Sequence, residues 1–147
     1  MLSIGSFTLG TLFGILISQI LSHFLAKSRE KESKFKEACV KLRASFADEI
    51  AFLHPHLIEG NEEDAHDVLK NAYPKHFKAI NEFKIYLPKE KRIKFEEVWR
   101  KYYGYEDDDS MPFFEQYSKH IGSHDSYLGN CSLALSRINK IIEFTMT

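Results

Sequence analysis

Apolar residues dominate Leu2 to Ala26, and no charged side chain interrupts them. An uncharged run of this length predicts a transmembrane helix. Beyond it, Phe35, Cys39, Leu42, Phe46, Ile50 and Leu53 recur at spacings of 4, 3, 4, 4 and 3, one face of an amphipathic helix. No Pro or Gly lies between Gly14 and Pro55, so the membrane helix is expected to run on to about Leu53. The chain therefore divides into a transmembrane helix over 1–26, a juxtamembrane amphipathic helix over 27–53 and a helical bundle over 54–147.

Within the bundle, a turn is expected around Gly60, with Asn61 capping a helix whose first turn holds Glu62, Glu63 and Asp64. Val68, Leu69 and Ala72 supply its apolar contacts until Pro74 ends it. A second segment, Lys75 to Tyr86, turns Phe77, Ile80, Phe83 and Leu87 inward, and Pro88 resets the chain. A third, Lys89 to Tyr103, carries Ile93, Phe95, Val98, Trp99 and Tyr102, with Pro88 tolerated at its start. Glu106 to Asp109 reads as an acidic loop. Ser110 and Pro112 restart a helix through Phe113, Phe114 and Tyr117, which Gly122 breaks. The last helix, about Ser126 to Phe144, has a seam of Leu128, Cys131, Leu135, Ile138 and Ile142. No segment alternates as a strand does. The expected fold is all-α, one N-terminal transmembrane helix continuing into a small cytoplasmic helical bundle.

The apolar run has a second pattern. Ser6, Gly10, Gly14, Ser18 and Ser22 recur every fourth residue, a stripe of small side chains where another membrane helix can pack closely. Gln19 could hydrogen-bond across such a contact. A homodimer or a partner helix is the expected occupant. A signal peptide is the rival reading, but it needs a basic start, a shorter apolar stretch and a small-residue cleavage site, and none is present.

Charge orients the span. Lys27 to Arg43 holds seven basic and three acidic side chains, and the positive-inside rule places that flank in the cytoplasm. Lys27, Arg29, Lys31 and Lys34 are then positioned to contact anionic headgroups. Further on, charge alternates in blocks: Ala44 to Leu69 is wholly acidic, Lys70 to Tyr105 mostly basic, and Glu106 to Thr147 mostly acidic. Pairing of these blocks within the bundle is the simplest account of them. The net charge of −1 argues against a dedicated nucleic-acid binder. Cys39 and Cys131 sit among apolar residues and read as reduced, buried thiols, in keeping with a cytoplasmic domain.

Candidate chemistry is sparse. His54 and His56 flank Pro55, His120 and His124 are separated by Gly122, and Glu63 with His66 makes one Glu-x-x-His where a di-iron bundle needs two. No zinc spacing is met, and no cofactor is expected. Ser123, His124 and Asp125 are sequence neighbours and so point in different directions, unlike a catalytic triad. The acidic loop lacks an EF-hand's closing glutamate. In Trp99 to Tyr105, helical spacing puts Trp99 and Tyr102 toward the core and Arg100 and Lys101 toward water.

Several phrases together resemble a family of small single-span bacterial membrane proteins. These are Val68-Leu69-Lys70-Asn71-Ala72-Tyr73-Pro74-Lys75-His76, Glu82-Phe83, Phe95 to Tyr103, Pro112 to Tyr117, and Arg137-Ile138 to Phe144. The resemblance implies a bacterial inner-membrane setting and carries no activity, cofactor or catalytic residue.

The expected function is a membrane-anchored, cytoplasm-facing interaction module that binds a protein partner or itself. The alternatives are a membrane-bound enzyme with a site drawn from His54, His56, Glu63 and His66, or a stress, toxin–antitoxin or phage-exclusion component.

Overall fold

A computed structural model describes residues 4–54, 63–104, 114–119 and 124–146, with side chains described from residue 13 in the first helix and from residue 127 in the last. The described chain is all-helical: α1 (Ile4–Ser45), α2 (Ala47–Phe52), α3 (Ala65–Lys84), α4 (Lys89–Tyr103), a 3-10 turn (Glu115–Tyr117) and α5 (His124–Glu143). It separates into two units, Met1–Glu37 and Ala38–Thr147.

The first unit is the N-terminal part of α1. Phe13, Ile15, Leu16, Ile17, Ile20, Leu21, Phe24 and Leu25 are all between 49% and 68% exposed. Among the described residues, no helix is long and apolar enough to cross a membrane. The transmembrane reading of 1–26 thus finds no support there, and the side chains of its first half, through Leu12, lie outside the described residues.

The second unit buries its apolar residues in one core. Leu42 enters it from α1, Phe46 and Leu53 from either end of α2, Leu69, Ile80 and Phe83 from α3, and Phe95, Trp99 and Tyr102 from α4. Phe114, Tyr117, Cys131, Ala134, Ile138 and Ile141 complete it. α4 packs along α5, and the 3-10 turn packs on both α3 and α5. Phe95 sits between Phe83 and Phe144, with ring centroids 5.2 and 5.1 Å away. Tilted and edge-on pairs of this kind add about 0.5–1.5 kcal/mol each beyond area burial.

Several sequence expectations need correction. The single helix to Leu53 is broken at Phe46. Ser45 Oγ donates back to the Leu42 carbonyl (2.7 Å), and Phe46 N–H bonds the Arg43 carbonyl three residues back (3.2 Å). Both contacts tighten the turn and end α1. The next cap is Asp64 rather than Asn61, which lies outside the described residues. Asp64 has extended backbone, and its side chain accepts from His66 N–H, so Glu63 stays outside the helix.

Pro74 does not end a helix but lies inside α3. It removes one backbone donor, yet Leu69, His76, Ile80 and Phe83 all reach the core only if the helix continues through it. Continuity turns Phe77 outward, at 47% exposure, and buries His76 and Ala79 instead. Ile93 is likewise exposed, while α4 itself runs over the expected residues. Of the helix expected from Ser110 and Pro112 through Tyr117, the described residues hold a 3-10 turn at Glu115–Tyr117, entered through Phe114 at φ 64°, while residues 110–113 and 122 lie outside the described residues. The α5 seam includes Ala134 and Ile141, with Leu128 and Leu135 half-buried at its edge.

Candidate functional site

Three buried polar side chains interrupt the apolar seams of three of the described helices. Glu49 on α2 takes the place of an apolar residue between Phe46 and Leu53. His76 on α3 precedes Ile80 by one turn, and Tyr102 on α4 follows Trp99. All three are buried, and packing brings them into line. His76 Nε2 is 3.1 Å from Glu49 Oε2, and His76 Nδ1 is 3.0 Å from the Tyr102 hydroxyl. An ionised carboxylate only accepts, so Nε2 carries a proton toward Glu49, and in the neutral imidazole Nδ1 then accepts from Tyr102. Phe46 stacks on the imidazole at 4.0 Å between centroids and 20° between planes, which fixes the ring.

Lys75 closes the outer end, with Nζ 3.0 and 3.2 Å from the two Glu49 oxygens and 3.3 Å from Asp48 Oδ2. Burial alone would raise the Glu49 carboxyl, but the hydrogen bonds from His76 and Lys75 outweigh it and hold the group below the ordinary value. Burial would lower the Lys75 ammonium, but Glu49 and Asp48 outweigh that and raise it. At the inner end, burial pushes the Tyr102 phenol far up, with Tyr117 and Glu49 nearby adding to the shift.

Glu49 and Lys75 also line a groove of about 760 Å³ with Glu63, Asp64, Asp67, Val68, Asn71, Ala72 and Lys119. Asp64, Asp67, Asn71 and Lys75 follow one another along α3 at helical spacing, so a single face of that helix forms the wall. Asp64 is more than a lining group. Its carboxylate caps α3 and also accepts from Ser118 Oγ (3.0 Å) and Lys119 N–H (3.1 Å), tying the segment after the 3-10 turn to the start of α3. Beside it, Ala65 N–H donates to the Tyr127 hydroxyl (3.1 Å). Burial pushes the Tyr127 phenol up to about 12.

No buried side-chain nitrogen or oxygen among the described residues lacks a hydrogen-bond partner. The relay from Lys75 to Tyr102 is therefore a closed network. Both Glu49 oxygens are already engaged, and Tyr102 is fully enclosed. Such an arrangement rigidifies the wall of the groove.

The residues singled out from sequence lie elsewhere. Ser6 and Gly10 are outside the described side chains. Gly14 has open space around it, and Ser18 and Ser22 are exposed. Lys27, Arg29, Lys31 and Lys34 are exposed, with Lys34 paired to Glu30 at 2.7 Å. His66 Nδ1 faces Asp67 Oδ1 at 3.1 Å, Glu63 lines the groove, and His56 and His120 lie outside the described residues. Among the described residues, no group of three or more His, Cys, Asp or Glu side chains is placed to hold a metal. Cys39 and Cys131 are free and buried, and burial raises both thiols. Trp99 and Tyr102 face the core, and Arg100 and Lys101 face solvent, as helical spacing predicts.

Sequence reading missed Glu49 and His76 as partners. The available signal was a titratable residue at a core position of an amphipathic seam, one turn from Leu53 and Ile80 respectively. No protein-family model, curated protein or solved structure matches this chain.

Proposed function

We propose that this chain is a membrane-anchored helical binding module whose bundle faces the cytoplasm and takes a protein partner. One observation carries the reading: an uncharged run from Leu2 to Ala26 whose large side chains, Phe13 to Leu25, stand exposed along α1. Leaving a Leu, Ile or Phe side chain in water forfeits about 1.5–3 kcal/mol relative to burial. Eight of them in succession need a cover, and a bilayer supplies one around the whole helix. The basic flank from Lys27 sets the bundle on the cytoplasmic side, and Lys27, Arg29, Lys31 and Lys34 meet the headgroups. A bacterial inner membrane is the setting that fits the sequence resemblance.

The stripe of Ser6, Gly10, Gly14, Ser18 and Ser22 is the self-association face within the membrane. The Lys75–Glu49–His76–Tyr102 network stiffens the wall of the groove that such a partner would meet.

Membrane fractionation with reporter fusions after Thr147 tests the frame. A cytoplasmic C-terminus in the membrane fraction is expected, and a soluble chain or an external C-terminus overturns it. Gly10→Leu with Gly14→Leu is expected to abolish crosslinked dimers in membranes. Unchanged crosslinking removes the small-residue face from the proposal.

A further inference from the structure

The corner where α3 turns into α4 carries charge that neither the relay nor the groove uses. Lys89, Lys91, Arg92 and Lys94 are all exposed, with Glu90 the one acid among them, a net charge of +3. The side chains of Lys89, Lys91 and Lys94 make no ion pair among the described residues. Glu96, on the next turn, is taken by Lys84 at 3.5 Å. Position makes this run costly. Lys89, Lys91 and Arg92 stand in the first turn of α4, where the helix dipole repels cations and only Glu90 has the favoured sign. Pro88 at the cap gives no side-chain hydrogen bond to offset it. Side chains that break a local rule without a gain in packing point to function rather than fold.

Two isoleucines stand in the same corner. Ile85, just past α3, is 63% exposed, and Ile93 of α4 is 52% exposed. Arg92 Nη2 donates to the Ile85 and Leu87 carbonyls at 3.5 and 3.2 Å, which ties the first turn of α4 to the turn that carries Ile85. Both acceptors are neutral, so the guanidinium keeps its charge. Ile93 lies two residues before buried Phe95, about 200° around the helix, and so points away from the core. The corner thus presents large apolar side chains among cations that are mostly lysine. Protein–protein interfaces are depleted in lysine at their centres. Lysine on a long apolar stem suits a lipid interface instead, with its ammonium among phosphates and its stem beside the acyl chains.

We propose that the α3–α4 corner docks on the anionic headgroups of a lipid bilayer, with Ile85 and Ile93 entering the boundary between headgroups and acyl chains. Charge complementarity selects anionic over neutral lipid, and the isoleucines add apolar burial that a soluble anion does not offer. The inference rests on the membrane reading above for bringing a bilayer within reach, but every residue of the corner belongs to the second unit. A patch of this size is a second membrane signal and does not hold the chain through washing by itself.

The test places a fluorescent label at Glu90→Cys of the full chain, where Cys39 and Cys131 are buried and slow to react. The labelled chain is titrated with excess vesicles of phosphatidylcholine, alone or mixed with phosphatidylglycerol, each carrying a headgroup-quencher lipid. Quenching that requires phosphatidylglycerol and fades as salt rises is expected. Lys89→Glu, Lys91→Glu and Lys94→Glu together are expected to weaken it about tenfold or more, with a thermal melt no lower than the parent's because acidic residues suit a helix start. Ile85→Ser with Ile93→Ser is expected to weaken it at constant charge. Insertion is scored separately by flotation in high salt, so a chain that does not insert sinks the anchor while the label still reports on the corner. Quenching indifferent to phosphatidylglycerol, or to the triple reversal, overturns the proposal. A label shielded by soluble polyglutamate but not by the anionic vesicles assigns the corner to an acidic protein and equally overturns it.

Discussion

His76 Nε2 donates to Glu49 Oε2 across 3.1 Å, joining α3 to α2 through a pair that solvent scarcely touches. The imidazole has no room to turn away, because Phe46 covers its face and Tyr102 occupies its other nitrogen. The pair therefore behaves as one unit, and each partner's removal strands the other. His76→Ala leaves a buried carboxylate with Lys75 alone and opens a cavity under Phe46. The expected loss is about 3–5 kcal/mol in urea unfolding. Glu49→Gln keeps the shape and loses the charge, at about 1–3 kcal/mol. Wild-type midpoints for both variants would remove the relay from the account of stability.

Glu49 also sets a pH dependence. Its folded value is depressed, so its contribution is fully present above the ordinary glutamate value of 4.5 and is lost as pH falls through the lower folded value. Lys75 has the opposite sign: its value is raised, so its contribution is present below 10.5 and is lost as pH rises through the folded value. Wild-type stability should thus fall on the acid side below about 4.5, and Glu49→Gln should fall less steeply there. Urea midpoints measured from neutral to acid pH decide it, and parallel acid limbs for the two proteins would refute the assignment.

Asp64 does two jobs, and sequence reading gave the first of them, the cap, to Asn61. It caps α3, and it holds Ser118 and Lys119 against that helix end. Loss of the cap alone costs about 0.5–2 kcal/mol, and the two further contacts push Asp64→Ala to the top of that range or beyond it. Asp64→Asn can still cap and should recover part of the loss. Chemical denaturation of the two variants is the check, and equal losses would mean the cap is not the principal contact.

Phe114 opposes burial to backbone strain. It sits at φ 64°, where a non-glycine residue costs about 1–2 kcal/mol, yet its ring is fully buried among Tyr73, Tyr102 and Tyr117. Glycine relieves the strain and forfeits the ring, which is worth about 3–5 kcal/mol in a core. Phe114→Gly should therefore destabilise by about 1–4 kcal/mol on balance. A stabilised variant in thermal or urea melts would show that strain outweighs packing at this turn.

The anchor makes a separate prediction. Leu16→Arg with Ile20→Arg places two charges one turn apart within the run, each costing about 2.5–3.5 kcal/mol near the middle of a bilayer. The variant should leave the membrane fraction while its bundle melts as in the wild type. Retention in the membrane would point to attachment by the bundle or its basic flank rather than by α1.

Sequence alone determined that the described chain is helical, where α4 begins and ends, that both cysteines are buried, and that Trp99 and Tyr102 face inward. Each of these follows from local rules: apolar spacing near 3.6, a proline at a helix start, and the absence of strand alternation. Tertiary structure decided the rest. Pro74 stays inside α3 because Leu69, His76, Ile80 and Phe83 can all reach the core only on a continuous helix, and that gain exceeds one lost backbone bond. Asp64 rather than Asn61 caps α3 because Ser118 and Lys119 arrive from far along the chain to share its carboxylate. Glu49, His76 and Tyr102 meet only once three helices pack. Spacing along one helix says which face a residue occupies, while its partner across the core depends on how the helices are set against each other.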